Sequence, residues 1–523
     1  MLAADARLWG ILAYAAVVLG CVVRLGRFAD NPTLWLDEAF LAINLMEKSF
    51  SDILGPLAFQ QSAPPGFLLV EKAAESFIGD SELSLRLFSI VASLASMVLF
   101  AYIARRLLAA PAAVLAIVLF ATGEPLLERA AELKPYSIDV AVATLIIALT
   151  LWVLAAPNGT AFARTGILCG VGLVVLWFSF PALFTLAGAV AAIGIHALEI
   201  GSRRLVVGAV VLAGTTVGMF AAVYAVASTT VRTATTVLFG DGGSSIGIGR
   251  VEIVQRSWSI LDNPGGFTNG TAALAALLAC FGVIAVARGR SFDRLALLTL
   301  PALLAVAAHL LDRYPLGGRY SLFLVPSLLV LVARGAQAIT GWSRRPLLVG
   351  AGVAVFLVSS PLAIAGYHMF QPPAREDLRP VLRYLIREWR DGDSLYVFTD
   401  SQYALRYYAT CEDCTPSGKD FPWPTRLGPL SPEDPEAPVL ESVPPALIIG
   451  SKDSLIHPHA DLDRLPRKGR LWLLFSHVGT LARFDAESAL VTELEDSELP
   501  AAHDGLSHEV VRARGARLYL FNR

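Results

Sequence analysis

Trp35-Leu36-Asp37-Glu38 sets two adjacent carboxylates in an otherwise strongly apolar stretch of chain. A carboxylate held against apolar surroundings gains affinity for a proton, and so becomes a competent general base near neutral pH. The pair could also ligate a divalent cation, or Asp37 could cap a helix beginning at Glu38. Glu132-Leu133-Lys134-Pro135-Tyr136 is a second polar cluster. There Lys134 suits a phosphate and Tyr136 a sugar or lipid headgroup, although a snorkelling lysine and a belt tyrosine are the plainer alternative. Arg319 follows Gly317-Gly318, with Arg313 close by in sequence. Guanidinium groups there suit a bidentate phosphate grip, an ion pair with Asp312, or contact with headgroups. Arg86 carries the same alternatives.

These residues interrupt a chain of 523 residues that is 55% hydrophobic and only 16% charged. Soluble domains carry nearer a quarter charged residues. The apolar residues are bunched into blocks long enough to cross a bilayer as helices. Eleven candidate spans emerge, at about 7–27, 84–108, 110–127, 136–156, 163–180, 182–199, 204–228, 271–288, 293–311, 319–337 and 346–367. Val18-Leu19-Gly20-Cys21 resembles a lipoprotein cleavage box, but Asp5 offsets the lone preceding Arg7, which favours a retained first helix. The fold class expected is a polytopic α-helical membrane protein, residues 1–370, followed by an extracytoplasmic α/β domain, residues 371–523.

Basic residues set the orientation. With the N-terminus inside, the inner loops hold Arg105 and Arg106, Arg164, Arg203 and Arg204, Arg288, Arg290 and Arg294, and Arg344 and Arg345. The outer short loops hold fewer, and an odd number of spans leaves the tail outside. All the polar clusters then share the outer face of a plasma (inner) membrane protein. The first outer loop, about 28–83, reads as two interfacial helices near 38–54 and 66–78, separated by Pro64-Pro65. The tail opens on an amphipathic helix at 376–390, followed by strands at 394–398, 446–449, 471–475 and 518–521.

Other features carry less. The glycine run 240–249 has no preceding strand and reads as a lid or linker. His457 and His459 lack a third ligand. Cys411 and Cys414 can pair in an oxidising compartment. No basic run points to nucleic acid, and the net charge of −2 selects no partner.

Trp35-Leu36-Asp37-Glu38-Ala39 resembles the acidic motif in the first extracytoplasmic loop of GT-C-class membrane glycosyltransferases, the relatives of protein O-mannosyltransferases and lipid A aminoarabinose transferases. Ser62-Ala63-Pro64-Pro65-Gly66-Phe67 is similar to their His-x-Pro-Pro-x-Tyr segment, with Gln61 or Ser62 near the histidine position and Phe67 for tyrosine. Glu82 to Ser89, Glu132 to Ser137 and Gly318-Arg319-Tyr320 are similar to further family motifs. The resemblance implies transfer of a sugar from a polyprenyl-phosphate donor to a lipid, glycan or protein acceptor at the outer face, with inversion. It implies Asp37 as base, with Glu38 beside it, and Lys134, Arg319, Arg86 and Arg313 as candidate holders of the lipid phosphate. Glu132, Tyr136, Gln61 and Tyr320 are candidate substrate contacts. A divalent cation at Asp37 and Glu38 stays open. A lipid-linked substrate transporter or flippase, or a non-catalytic envelope assembly protein, are the rival classes.

Overall fold

The computed structural model describes residues 2–239, 266–267, 269–371, 376–430, 439–451, 458–476, 486–497 and 509–522. The glycine run 240–249 and His457 lie outside the described residues. The chain forms two compact units. One comprises Met1–Asp30, Ser62–Val70 and Arg86–Pro372; the other comprises Asn31–Gln61, Glu71–Leu85 and Pro373–Arg523.

The first unit is helical. Among the described residues, nine helices are long and apolar enough to cross a membrane, from Ala6–Ala29 to Pro346–Phe370. They occupy nine of the eleven positions expected from sequence. The other two positions hold shorter apolar helices, Ala110–Thr122 and Gly159–Val175. A bonding requirement explains the first shortening. Arg24 is fully buried in the first helix. Its guanidinium donates to the carbonyls of Phe120 (3.0 Å) and Ala121 (3.2 Å), as well as to Gly20 O and Ser93 Oγ. The last carbonyls of a helix have no intrahelical partner, and a cation is favoured at that end. Arg24 therefore caps Ala110–Thr122. A short helix, Glu124–Glu128, begins just beyond it, with Pro125 in its first turn.

His309 is buried in the last turn of its span. Arg24 and Asp139 are also buried within spans. Asp139 sits in the first turn of Tyr136–Leu154, and Arg24 is near the end of its own helix, so neither marks a mid-membrane path of the kind a transporter needs.

The second unit joins the tail to most of the first loop. Its sheet runs in the order Leu447–Ile449, Ser394–Val397, Arg470–Ser476, Ala516–Asn522, Glu509–Ala513. Ser394–Val397 is parallel to both neighbours, and the last two strands are antiparallel. Tyr396, Phe398, Leu471, Leu473, Phe475, Tyr519 and Phe521 fill its core with Leu490 and Leu494 of helix Ala486–Ser497. The expected α/β tail is present. Helix Leu378–Glu388 falls where the sequence pattern put it, and a second helix, Ser401–Thr410, follows the first strand.

Helix Ser401–Thr410 binds the loop. Arg406 is 1% exposed. Its Nε donates to Glu47 Oε1 at 2.7 Å, its Nη2 reaches the other oxygen, and its Nη1 reaches the carbonyls of Gly428 and Val439. Tyr408 Oη donates to Glu82 Oε1 at 2.8 Å, and Tyr407 Oη to Asp80 O at 2.9 Å. Cys411 and Cys414 are disulfide-bonded. The turn they close presents the amides of Glu412 and Asp413 to the Asp80 carboxylate at 2.8 and 2.9 Å. Tyr403 packs edge-on against Phe40 (4.7 Å) and Phe59 (5.3 Å).

Removing one member of a buried ion pair costs about 3–5 kcal/mol. Arg406→Ala should therefore lower the thermal stability of the detergent-solubilised protein by several degrees and expose the first loop to protease. Arg387→Ala, which removes an exposed pair with Glu388, should change neither by a measurable amount.

Candidate functional site

Arg129 organises the polar cluster of the first unit. It follows helix Glu124–Glu128, and its carbonyl accepts from Ser137 Oγ at 2.6 Å. The intervening residues turn tightly, with Lys134 N–H donating to Glu132 O at 2.7 Å and Ser89 Oγ bonding Lys134 O. Pro135 then precedes helix Tyr136–Leu154, so Tyr136 stands at that helix's first position. On the far side of the cluster, the backbone turns through Gly317 (φ 138°) and Gly318 (φ 49°), conformations that a side chain resists, into Arg319 and Tyr320. His309 shapes this turn: its Nδ1 lies 3.1 Å from Tyr314 O and 3.2 Å from the amide of Leu316.

Arg129 and the Gly317–Tyr320 turn line a cavity of about 350 Å³, bounded also by Glu128 and Leu322. Two guanidinium groups attend one aromatic ring. Arg129 lies 5.9 Å and Arg319 5.6 Å from the centroid of Tyr136, and Arg319 also lies 5.4 Å from Tyr320. The two tyrosines meet edge to face at 5.8 Å. Arg129 Nη1 bonds both oxygens of Glu132, at 2.6 and 2.7 Å. Burial works against the Arg129 cation and Arg319 repels it, but Glu132 and Glu128 outweigh both, so the guanidinium is held firmly charged. Two cations fixed beside aromatic faces, in a partly water-excluded cavity, form an anion-binding arrangement.

The structure thus brings Glu132, Tyr136, Arg319 and Tyr320 together around Arg129, which sequence reasoning counted only as a loop charge. Its signal was available: a basic residue three before Glu132, on the side where basic residues are few. Lys134 and Arg86 are buried in the same unit without lining the cavity, and Arg313 is exposed at the end of helix Phe292–Leu310.

The acidic step lies in the second unit. Helix Leu36–Glu47 begins one residue earlier than Asp37, with Trp35 as its N-cap. Asp37 is therefore a first-turn residue rather than the cap. Glu38 is 2% exposed, and its Oε2 accepts from Trp35 N–H at 3.4 Å, the reach-back of a residue three past the cap. Asp37 is half-buried. Gln61 Nε2 donates to Phe59 O at 3.1 Å, after two consecutive left-handed residues, Phe59 (φ 61°) and Gln60 (φ 54°). Non-glycine residues pay for this conformation. In the first unit, Pro64-Pro65-Gly66 seats against Trp177. Gly66 N–H donates to Trp177 O at 2.7 Å, and a Cβ on Gly66 would lie 2.8 Å from that oxygen.

Glu71 was passed over in the sequence as one polar residue in an interfacial helix. It is fully buried, and neither carboxylate oxygen has a hydrogen-bond partner among the described residues. Burial pushes its carboxyl well above the usual range. Its neighbour Lys72 instead bonds Leu45 O (2.7 Å) and Glu75 (2.6 Å).

Residues 62–226 match the family model described as dolichyl-phosphate-mannose-protein mannosyltransferase. That stretch takes in Arg86, Arg129, Glu132, Lys134 and Tyr136 but not Asp37 or Arg319. No curated protein sequence matches the chain. The solved structure of ArnT from Cupriavidus metallidurans in the apo state aligns with TM-score 0.52 and 15% identity, over 99% of this chain and 98% of its own. The structure of ArnT from the same organism bound to undecaprenyl phosphate aligns with TM-score 0.51 and 14% identity, over 98% of each chain. The fold of ArnT thus extends over nearly the whole chain, tail included. The likeness expected from the sequence motifs is thus borne out at the level of the fold, which is ArnT-like.

A carboxyl with a raised pKa favours the folded state when protonated and costs stability once it must ionise. The Glu71 penalty is absent below the unfolded-state value of about 4.3 and grows as pH rises toward the folded value. Glu71→Gln should accordingly raise the unfolding temperature at pH 8 and leave it nearly unchanged at pH 4, as measured by a thermal-shift series across pH.

Proposed function

We propose that this GT-C-class, ArnT-like chain is a glycosyltransferase that moves a sugar from a polyprenyl-phosphate donor to an acceptor hydroxyl at the extracytoplasmic membrane face. The observation that carries this reading is the cavity with Arg129 and Arg319 set about Tyr136 and Tyr320. Sugar transfer from a lipid phosphate leaves a phosphate anion behind. Its departure is eased by fixed cations, which stabilise charge as it develops. Arg319 and Arg129 supply that charge, with Lys134, Arg86 and Arg313 as further cations of the same unit. Tyr136, Tyr320 and Glu132 offer hydroxyl and carboxylate contacts to a sugar. Undecaprenyl phosphate is the ligand of the ArnT structure that shares this fold, and it supports a polyprenyl-phosphate donor here.

Asp37 is the proposed base. It would take the proton from the acceptor hydroxyl as the oxygen attacks the anomeric carbon, and the bond to the phosphate would break on the opposite face, which inverts the centre. Glu38, turned toward the Trp35 amide, stiffens the first turn that carries Asp37. The N-terminus is placed in the cytoplasm and the tail outside, on the distribution of arginines between loops. The tail is proposed to recognise the acceptor as well as to hold the first loop.

Transfer from labelled polyprenyl-phosphate sugars in proteoliposomes tests the reading. Asp37→Asn should lose about 10²–10⁴-fold in turnover while still binding the donor. Near-wild-type turnover would remove Asp37 from the mechanism. Arg319→Ala and Arg129→Ala should each weaken binding of polyprenyl phosphate by about tenfold or more, the worth of one charged hydrogen bond. Unchanged affinity in both would take the donor phosphate out of this cavity.

A further inference from the structure

Helix Ala182–Glu199 and helix Phe292–Leu310 pack together in the first unit, and they run antiparallel, since Gly188 meets Pro301 and Leu297 while the later His196 meets the earlier Asp293. Where the first ends and the second begins, His196, Glu199 and Asp293 converge. One ligand atom from each lies within 4.8 Å of the others. His196 and Glu199 are three apart on one helix and so share a face. Asp293 is the second residue of the other helix and is 9% exposed.

We propose that these three residues bind a zinc ion that staples the two helix ends together. His196 Nδ1 lies 3.6 Å from Asp293 Oδ2. That is too long for a hydrogen bond. It is close to the separation of two ligands on one tetrahedral zinc, about 3.3–3.5 Å for bonds of 2.0–2.2 Å. Asp293 Oδ1 is already occupied, accepting the amide of Arg294 at 2.7 Å. This fixes the carboxylate and leaves Oδ2 to face the histidine. Glu199 is exposed and so is able to turn onto the ion. One imidazole and two carboxylates are hard-to-borderline ligands that suit zinc, with water at the fourth position. Without an ion, Asp293 and His196 stand at ion-pair distance with no hydrogen bond between these two atoms.

The site lies far from the anion cavity. Asp293 and His309 are 16 residues apart on helix Phe292–Leu310, so about 24 Å separates Asp293 from the end that shapes the cavity. The zinc is therefore a brace and takes no part in the chemistry proposed above.

The test is metal analysis of the full, tag-free chain in detergent after chelation, zinc reloading and desalting. One zinc per chain is expected in the wild type, in Asp37→Asn and in Glu38→Gln. Loss of that zinc is expected in His196→Ala and in Glu199→Gln. Cobalt loaded in place of zinc should give the intense visible bands of a tetrahedral ion in the wild type, Asp37→Asn and Glu38→Gln, but not in His196→Ala or Glu199→Gln. Zinc should raise the unfolding temperature of the wild type and not that of His196→Ala. The proposal is overturned if the wild type retains no zinc, if both site variants keep it, or if Asp37→Asn or Glu38→Gln loses it instead. Sugar-transfer activity does not enter this test, so its outcome is separate from that of the enzymatic reading.

Discussion

A single buried guanidinium sets how the acidic loop is held. Arg406 belongs to the tail, yet its charge is met by Glu47, the last residue of the helix that begins at Leu36 and carries Asp37. Its remaining donors go to the carbonyls of Gly428 and Val439. A buried pair of this kind contributes little net stability over an apolar replacement, but losing one partner is costly. What it supplies is a fixed relation between the loop helix and the tail. Tyr408 on Glu82, the Cys411–Cys414 turn on Asp80 and Tyr403 against Phe40 and Phe59 repeat the arrangement along the same short helix. Loops bearing reactive groups are commonly held by a rigid scaffold. For this loop, the scaffold is a domain more than 300 residues further along the chain.

The membrane unit obeys a different constraint, the need to satisfy every polar group without water. Arg24 is the clearest case. A cation in the first helix is tolerable because another helix ends beside it and leaves carbonyls that need donors. The same logic explains the cavity. Arg129 is held by Glu132, and its backbone is held by Ser137, so its guanidinium is charged and oriented before any ligand arrives. Binding energy is then not spent on ordering the group that does the binding.

The elements of this fold were readable where hydrophobic pattern alone decides them. Nine of eleven span positions, the α/β tail and the helix Leu378–Glu388 all follow from length and periodicity. The third span was overestimated because a continuous apolar run does not show that Arg24, far back in sequence, closes the helix at Thr122. Strand Glu509–Ala513 was missed because its residues alternate weakly and it is completed only by pairing with Ala516–Asn522. The association of the first loop with the tail was hidden for the same reason. Arg406 and Glu47 are 359 residues apart, and neither is distinctive locally.

The polar residues show the same division more sharply. Lys134 and Arg319 drew notice because charge at a span end is conspicuous, yet Arg129 is the residue that joins Glu132 to the Tyr136 ring. Charge counting treats all basic loop residues alike, whereas the fold gives only some of them an aromatic wall and an acidic anchor. Glu71 makes the complementary point. In sequence it looks like the solvated face of an interfacial helix; in the structure it is a fully buried acid with no hydrogen-bond partner among the described residues. Such a group is costly to keep. A chain that keeps it beside Lys72, whose amino group is directed to Glu75 and to the Leu45 carbonyl, holds an acid resistant to ionisation and a hydrogen-bonded amine side by side on one helix. Their difference in bonding comes from partners supplied by the fold, since adjacent residues on one helix share the same stretch of sequence.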